Sequence, residues 1–343
     1  MSLRRIARLA GVSLTTASLA LRNSPKISPA TRRRVQEQAR AAGYAANGRI
    51  AELMSAVRRT RASEPGACLG VISFYDHPRP WEEAPHLARI HDGMTRRAAA
   101  LGYRLEAFWL RAPGMTCRRL RGILDARGIR GLLCFGSPRL DERMPPELDR
   151  YAIVTQGVSI QTPLHRVMSH ANHHMWEALR QAQRRGYRRP GLVIGQYEGE
   201  RNAHAYLCVY LGWCHLVLGG PPPVPVLNLQ QIEEGTLIEW IRVHQPDVIV
   251  LAHHYQELPE FERVLRAHRL RMPADIGVIA ITPLLDGTPF SGLHGCGGQL
   301  GEWAVELLVS RILNQDFGYP THPRVEMVEM KWREGRTLRP AAG

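Results

Sequence analysis

The sequence predicts an α/β protein built as a small helical head followed by a larger body of two linked lobes of parallel sheet. Three observations predict it: a strongly basic front end, short helical segments inside that front end, and, from residue 67 onward, apolar strand-like runs alternating with amphipathic helical ones. At 343 residues the chain exceeds one ordinary core, which favours a small module plus a body. Of the net charge of +14, residues 1–65 carry +10, with thirteen Lys and Arg against three Asp and Glu, so the remainder is close to balanced. Such a front end is the electrostatic footprint of a nucleic-acid-binding module. A solvated basic tail is the other meaning of the same charge, and the pattern inside the head has to separate them.

The head opens with residues 3–10, where Leu3, Ile6, Ala7 and Ala10 fall at helical spacing and line one face. Gly11, Val12 and Ser13 break that helix. A second helix is predicted over 14–22 with Ser13 as N-cap, and a third from 29 to about 42 with Ser28 as N-cap, Pro29 at the first helical position and Gly43 as the stop. Three short helices with a glycine turn between the first two describe a helix-turn-helix. Set in a major groove, 14–22 aims Leu14, Thr15, Ser18, Leu19 and Arg22 at base edges, while Ala17 and Ala20 pack inward. The hydroxyls of Ser13, Thr16, Ser28, Thr31 and Tyr44 suit phosphate oxygens, where they set register without reading sequence. Beyond Tyr44, Ile50, Leu53, Met54 and Val57 share one helical stripe inside a polar linker, which reads as a conditional helix or as an ordinary stripe covering a neighbour.

In the body, strands are predicted at 69–74, 104–109, 131–135, 152–155, 191–194, 247–251 and 276–281, and helices near 87–101, 118–127, 172–185, 201–218 and 258–268. A helix at 299–314 and a strand-like run at 325–332 come late and return to complete the lobes. Six scattered cysteines without a C-x-x-C pair read as buried reduced thiols. Apolar runs far short of a membrane span and a front end without a signal-peptide stretch lead to the expectation of a soluble cytoplasmic protein. His170, His173 and His174 have i,i+4 metal-ligand spacing, to which His253 and His254 could add. Fifteen histidines generate such spacings by chance and no nearby Cys or Glu completes a known pattern, so no metal and no cofactor is expected. The chain has no G-x-G-x-x-G, Walker lysine loop, G-x-S-x-G or H-E-x-x-H, and no enzyme is expected.

The pattern Ile6-Ala7-x-x-Ala10-Gly11-Val12-Ser13-x-x-Thr16-x-Ser18, then Ile27-Ser28-x-x-Thr31-Arg32-x-x-Val35, then Gly43-Tyr44, resembles the head of the lactose-repressor (LacI/GalR) family. The tail, Gly292-Leu293, Leu300-Gly301, Ala304-Val305-x-Leu307-Leu308, Gly318-x-Pro320 and Trp332-x-x-Gly335-x-Thr337, is similar to that family's C-terminal end. The resemblance implies a DNA-binding head at 1–44, a hinge at 45–65 and a two-lobed core of periplasmic-binding-protein type at 66–343. Lobe one takes about 66–170 plus 298–323, and lobe two about 171–297 plus 324–336. It further implies that the linker folds as a hinge helix on the operator and wedges Leu53, with Met54 beside it, into the minor groove, trading base unstacking for a kink and more contact.

For the effector, the resemblance points to Arg201, expected to open a helix, because a guanidinium fork suits vicinal hydroxyls or a carboxylate. His253 and His254 stand where the family has an Asn-Asp pair and Thr282 where it has an acidic residue; Leu19 and Arg22 also depart from the usual base-reading residues. Trp81, Tyr197 and His254 are loop candidates for stacking on a ring. The function implied is a transcriptional regulator, a repressor, binding a pseudo-palindromic operator as a homodimer and answering to a small molecule, a sugar or derivative, between the lobes. Two alternatives remain: a sensor core that has lost its ligand and answers to a partner protein, and a solute-binding or enzyme-like core fused to the head.

Overall fold

The computed structural model describes residues 3–21, 27–42, 67–284 and 288–341. In the head, α1 (Leu3–Leu9), α2 (Leu14–Leu21) and α3 (Pro29–Ala41) enclose a small core of Ile6, Ala7, Ala10, Ala17, Ala20, Val35 and Ala39. The first turn follows from its glycine: Gly11 sits at φ +61, its N–H donates to the Arg8 carbonyl and the next N–H, of Val12, reaches back to Ala7. That pair of bonds closes α1 as a Schellman motif, a conformation that costs a non-glycine residue about 1–2 kcal/mol. The Ser28 hydroxyl accepts the Thr31 N–H at 3.3 Å, with proline in the first turn of α3, and Ser13 accepts the Thr16 N–H at 3.0 Å in the same way for α2.

The body forms two six-stranded sheets. The first runs β11 (Val325–Val328), β5 (His165–Ser169), β4 (Ala152–Gln156), β3 (Gly131–Cys134), β1 (Ala67–Ser73) and β2 (Tyr103–Trp109), parallel throughout. The second runs β12 (Lys331–Arg333), β10 (Ser291–His294), β9 (Gly277–Leu284), β8 (Val248–Ala252), β6 (Pro190–Gly195) and β7 (Leu227–Leu229), parallel except for the β10–β12 pair. Helices cover both faces, which is why β3 and β8 are buried along their whole length and read as unbroken apolar runs.

Against the first sheet lie α4 (Pro85–Ala100), α5 (Cys117–Ala126) and α11 (Gly297–Leu313). The second carries α6 (Ala171–Arg184), α7 (Gln196–Arg201), α8 (Ala205–Val217), α9 (Glu234–His244) and α10 (Leu258–Ala267). The α4–α11 contact is closed by glycines: a Cβ on Gly93 would lie 2.0 Å from the Gly298 carbonyl oxygen, and one on Gly301 2.0 Å from that of Ile90. Among the described residues no helix is long and apolar enough to cross a membrane.

Four expectations are corrected. The run at 325–332 is two strands, and Val325–Val328 pairs with β5 in the first sheet, so the assignment of all of 324–336 to the second lobe fails there. A single helix over 201–218 is replaced by α7 and α8, because Ala203 (φ +50) and His204 (φ +57) turn left-handed between them; Arg201 closes a helix instead of opening one. The strands β5, β7 and β10 and the helix α9 are additions. Of the six cysteines, all free, Cys134, Cys214 and Cys296 are buried, while Cys68 and Cys117 are half-buried and Cys208 is exposed.

Candidate nucleic-acid interface and inter-lobe cleft

The head presents α2 outward. Ala17 and Ala20, buried completely, fix its rotation, so Leu14 (43% exposed) and Thr15 face away from the core and Leu19 stands half-buried beside them. At the start of α2 the Ser13 and Thr16 hydroxyls lie 2.8 Å apart, and the same arrangement recurs between Ser28 and Thr31 at 2.9 Å. Both pairs present hydroxyls at a helix N-terminus, where backbone N–H groups also point outward, an arrangement that binds phosphate. Arg5, Arg8, Arg33 and Arg34 are exposed around them. Arg22, Tyr44, Leu53 and Met54 lie outside the described residues, as does the Ser18 side chain.

A cleft of ≈ 270 Å³ opens between the lobes at the carboxyl ends of the parallel strands, the place where open α/β sheets bind ligands. The polar lining groups come from strand ends and helix termini: Tyr75 after β1, Gln156 at the end of β4, Arg201 at the end of α7, His253 to Tyr255 after β8, and His86 and Arg89 in the first turns of α4. The chain crosses between the sheets at 170, at 295–296 and at 329–330, and Gly295, Cys296 and Met330 line the cleft from those crossings. Arg201 spans the two lobes, donating from its guanidinium to the Ser137 carbonyl of the first lobe at 3.1 Å.

The cleft is electropositive and rich in imidazole. Arg89 and Arg201 supply full charges, and no carboxylate occurs among its described lining residues. The His253 Nδ1 accepts the His254 N–H at 3.1 Å and the His254 Nδ1 accepts the Gln256 N–H at 3.4 Å, so each neutral ring carries its proton on Nε2. His254 meets Tyr255 with ring centroids 4.5 Å apart and His86 edge-on at 5.7 Å. Burial first, then the charges of His254 and Arg201, pushes the His86 imidazole down to about 4. Burial likewise lowers His253 and, together with His253, His254. Four buried polar atoms on the lining, the His86 Nδ1, the Gln156 Oε1, the His253 Nε2 and the Tyr255 hydroxyl, have no hydrogen-bond partner among the described residues; a bound polar molecule satisfies such groups.

Of the effector candidates, then, Arg201, His253 and His254 are brought together. Trp81 is not among the lining residues: it stacks on His91 at 4.2 Å with the rings 6° from parallel, and touches Phe135 at 5.2 Å. The side chains of Tyr197 and Thr282 lie outside the described ones. His86, Arg89, Gln156 and Tyr255 are cleft residues that sequence reasoning missed; only the adjacency of Tyr255 to His254 signalled any of them.

Residues 2–47 match the model of the bacterial regulatory proteins of the lacI family. No curated protein matches the chain by sequence. Among solved structures, the chain is similar to the transcriptional regulator CelR in complex with cellobiose, at 19% identity and TM-score 0.56 over 98% of this chain and 99% of that one. It is similar to the lac repressor dimer bound to operator and the anti-inducer ONPF at 15% identity and TM-score 0.58, over 99% of both chains. A LacI-family regulator CcpA from Weissella paramesenteroides with bound glucose is similar at 11% identity and TM-score 0.56, over 79% of this chain and 98% of that one. The core therefore has the fold of these proteins.

Proposed function

We propose that this chain, whose head belongs to the lacI family of bacterial regulatory proteins, is a sequence-specific DNA-binding transcriptional regulator, a repressor whose operator affinity is set by a small molecule in the inter-lobe cleft. Two copies bind the half-sites of a pseudo-palindrome. Leu14, Thr15, Ser18, Leu19 and Arg22 read bases, Ser13, Thr16, Ser28, Thr31 and Tyr44 hold phosphates, and Leu53 with Met54 enters the minor groove. The head is 1–44, the hinge 45–65 and the sensor 66–343. The protein acts in the cytoplasm and carries no catalytic role.

The observation that carries the sensing reading is Arg201, which lines the cleft from the second lobe and bonds the first lobe through Ser137. A ligand that engages this guanidinium alters the relation between the lobes, and with it the spacing of the two hinges. The cellobiose and glucose in two similar structures support a sugar or sugar derivative. Two guanidiniums beside three imidazoles favour one that carries a carboxylate or phosphate.

The test is selection of bound sequences from random duplex DNA by the purified protein, then a screen of sugars, sugar acids and sugar phosphates against the selected site. A pseudo-palindrome whose binding shifts with one of these ligands is the expected result. Failure to enrich any site, with and without ligands, overturns the proposal.

A further inference from the structure

The cleft accounts for His253 and His254 and leaves a second histidine group, at the lobe crossings, unexplained. His170 precedes α6 and His173 lies in its first turn, their rings 2° from parallel with centroids 5.6 Å apart. The Glu329 carboxylate, from the third crossing, reaches both: one oxygen lies 3.7 Å from the His170 Nδ1 and the other 3.9 Å from the His173 Nε2. One ligand atom from each of the three residues lies within 4.8 Å of the other two.

The backbone holds this group in place. The His170 N–H donates to the Val328 carbonyl at 3.0 Å, and the Met330 N–H donates to the His174 Nε2 at 3.0 Å. These two bonds bracket Glu329, so its position against α6 does not depend on an ion pair. His174 is thereby excluded as a ligand: it is fully buried and its Nε2 lone pair is occupied. His170 and His173 are half-buried and Glu329 is exposed, which leaves an open side for an ion and a water.

We propose that His170, His173 and Glu329 bind a divalent transition metal ion of the zinc class at the crossings between the lobes. Two imidazole nitrogens and one carboxylate oxygen are the donor set of a zinc site with three protein ligands and water in the fourth position. Donors about 2.1 Å from a tetrahedral ion stand roughly 3.4 Å apart, so from separations of at most 4.8 Å an ion enters once side-chain rotation closes each by no more than about 1.4 Å. The bound ion joins the first turn of a second-lobe helix to a crossing segment whose next residue, Met330, lines the cleft. The sequence concealed the site because its carboxylate comes from 156 residues beyond His173.

The experiment is calorimetric titration of untagged, chelator-treated full-length protein with zinc chloride near neutral pH, with cobalt(II) absorption reporting coordination geometry. Wild type is expected to bind one zinc ion per chain at this site. Glu329→Gln and His173→Ala are expected to weaken binding roughly tenfold or more, since even residues that only orient metal ligands are worth 10–100-fold. His322→Ala, at an exposed histidine elsewhere, should change nothing. Because Glu329 lies on an exposed crossing, Glu329→Gln keeps the test valid should His173→Ala disturb α6. Zinc should also raise the melting temperature of wild type more than that of Glu329→Gln. Absence of stoichiometric binding in wild type, or equal binding by wild type and Glu329→Gln, overturns the proposal.

Discussion

Arg201 presents five donors in a rigid fork and holds the Ser137 carbonyl with one of them. Lysine at this position keeps the charge and loses the fork. Arg201→Lys is therefore expected to lower ligand affinity by about tenfold to a hundredfold, the worth of a charge-assisted hydrogen bond, while binding of the ligand-free protein to its DNA stays unchanged. Fluorescence anisotropy on a labelled operator reads both quantities, and an undiminished ligand response removes Arg201 from the site. His86 makes a second prediction. Its imidazole, held at about 4 against an ordinary 6.5, refuses a proton that the unfolded chain accepts. Above pH 6.5 both states are neutral and nothing is lost. As pH falls from there towards 4, only the unfolded state gains the proton, so stability declines, by up to about 3 kcal/mol from this residue. His253 and His254 act in the same direction, so His86→Gln should flatten the decline without abolishing it. Denaturant titrations across that window, with identical slopes for wild type and variant, would remove His86 from the account.

The elements that position the cleft depend on small residues at a helix contact. Gly301 on α11 faces the Ile90 carbonyl of α4, the helix whose first turns also supply His86 and Arg89. Gly301→Ala forces backbone against backbone, where no flexible side chain can yield, and should cost about 1–3 kcal/mol or more as overpacking. An unchanged melting temperature would contradict that contact. Where local chemistry decides an element, the sequence was legible: Ser28 and Pro29 start α3, Gly11 ends the first turn of the head, and the doubly covered strands are continuous apolar runs. Long-range choices were not legible. Nothing local distinguishes Val325–Val328 joining β5 from its joining the other sheet, since an alternating edge strand fits either. The break between α7 and α8 uses Ala203 and His204 in left-handed conformation, which carry none of the glycine or asparagine signal of a turn. The cleft shows the same division. Arg201, His253 and His254 were found by resemblance, whereas His86, Arg89 and Gln156 arrive from the other lobe by folding alone.

At the scale of the whole molecule, a front end of net +10 over residues 1–65 and the cleft between the lobes must, on the proposed function, act on one equilibrium. The charge supplies affinity without specificity: a dimer neutralising six to ten phosphates loses about 10³–10⁵ in affinity between 50 and 200 mM salt, on any sequence. Specificity has to come from base edges and from deformation of the duplex, and Leu53 is assigned to the deformation. A leucine wedge contributes only where the DNA kinks and the hinge folds, which is a property of the specific complex. Leu53→Ala is therefore expected to weaken operator binding by roughly tenfold to a hundredfold, in keeping with a few kcal/mol of unstacking exchanged for contact, and to leave non-specific binding and its salt slope nearly as they were. Parallel anisotropy titrations on the selected site and on a scrambled duplex, each at several salt concentrations, make the comparison. Equal losses on both duplexes would mean that the stripe of Ile50, Leu53, Met54 and Val57 supports folding of the linker in every complex and reads no deformation. Ligand control would then have to act on head placement by another route than the hinge.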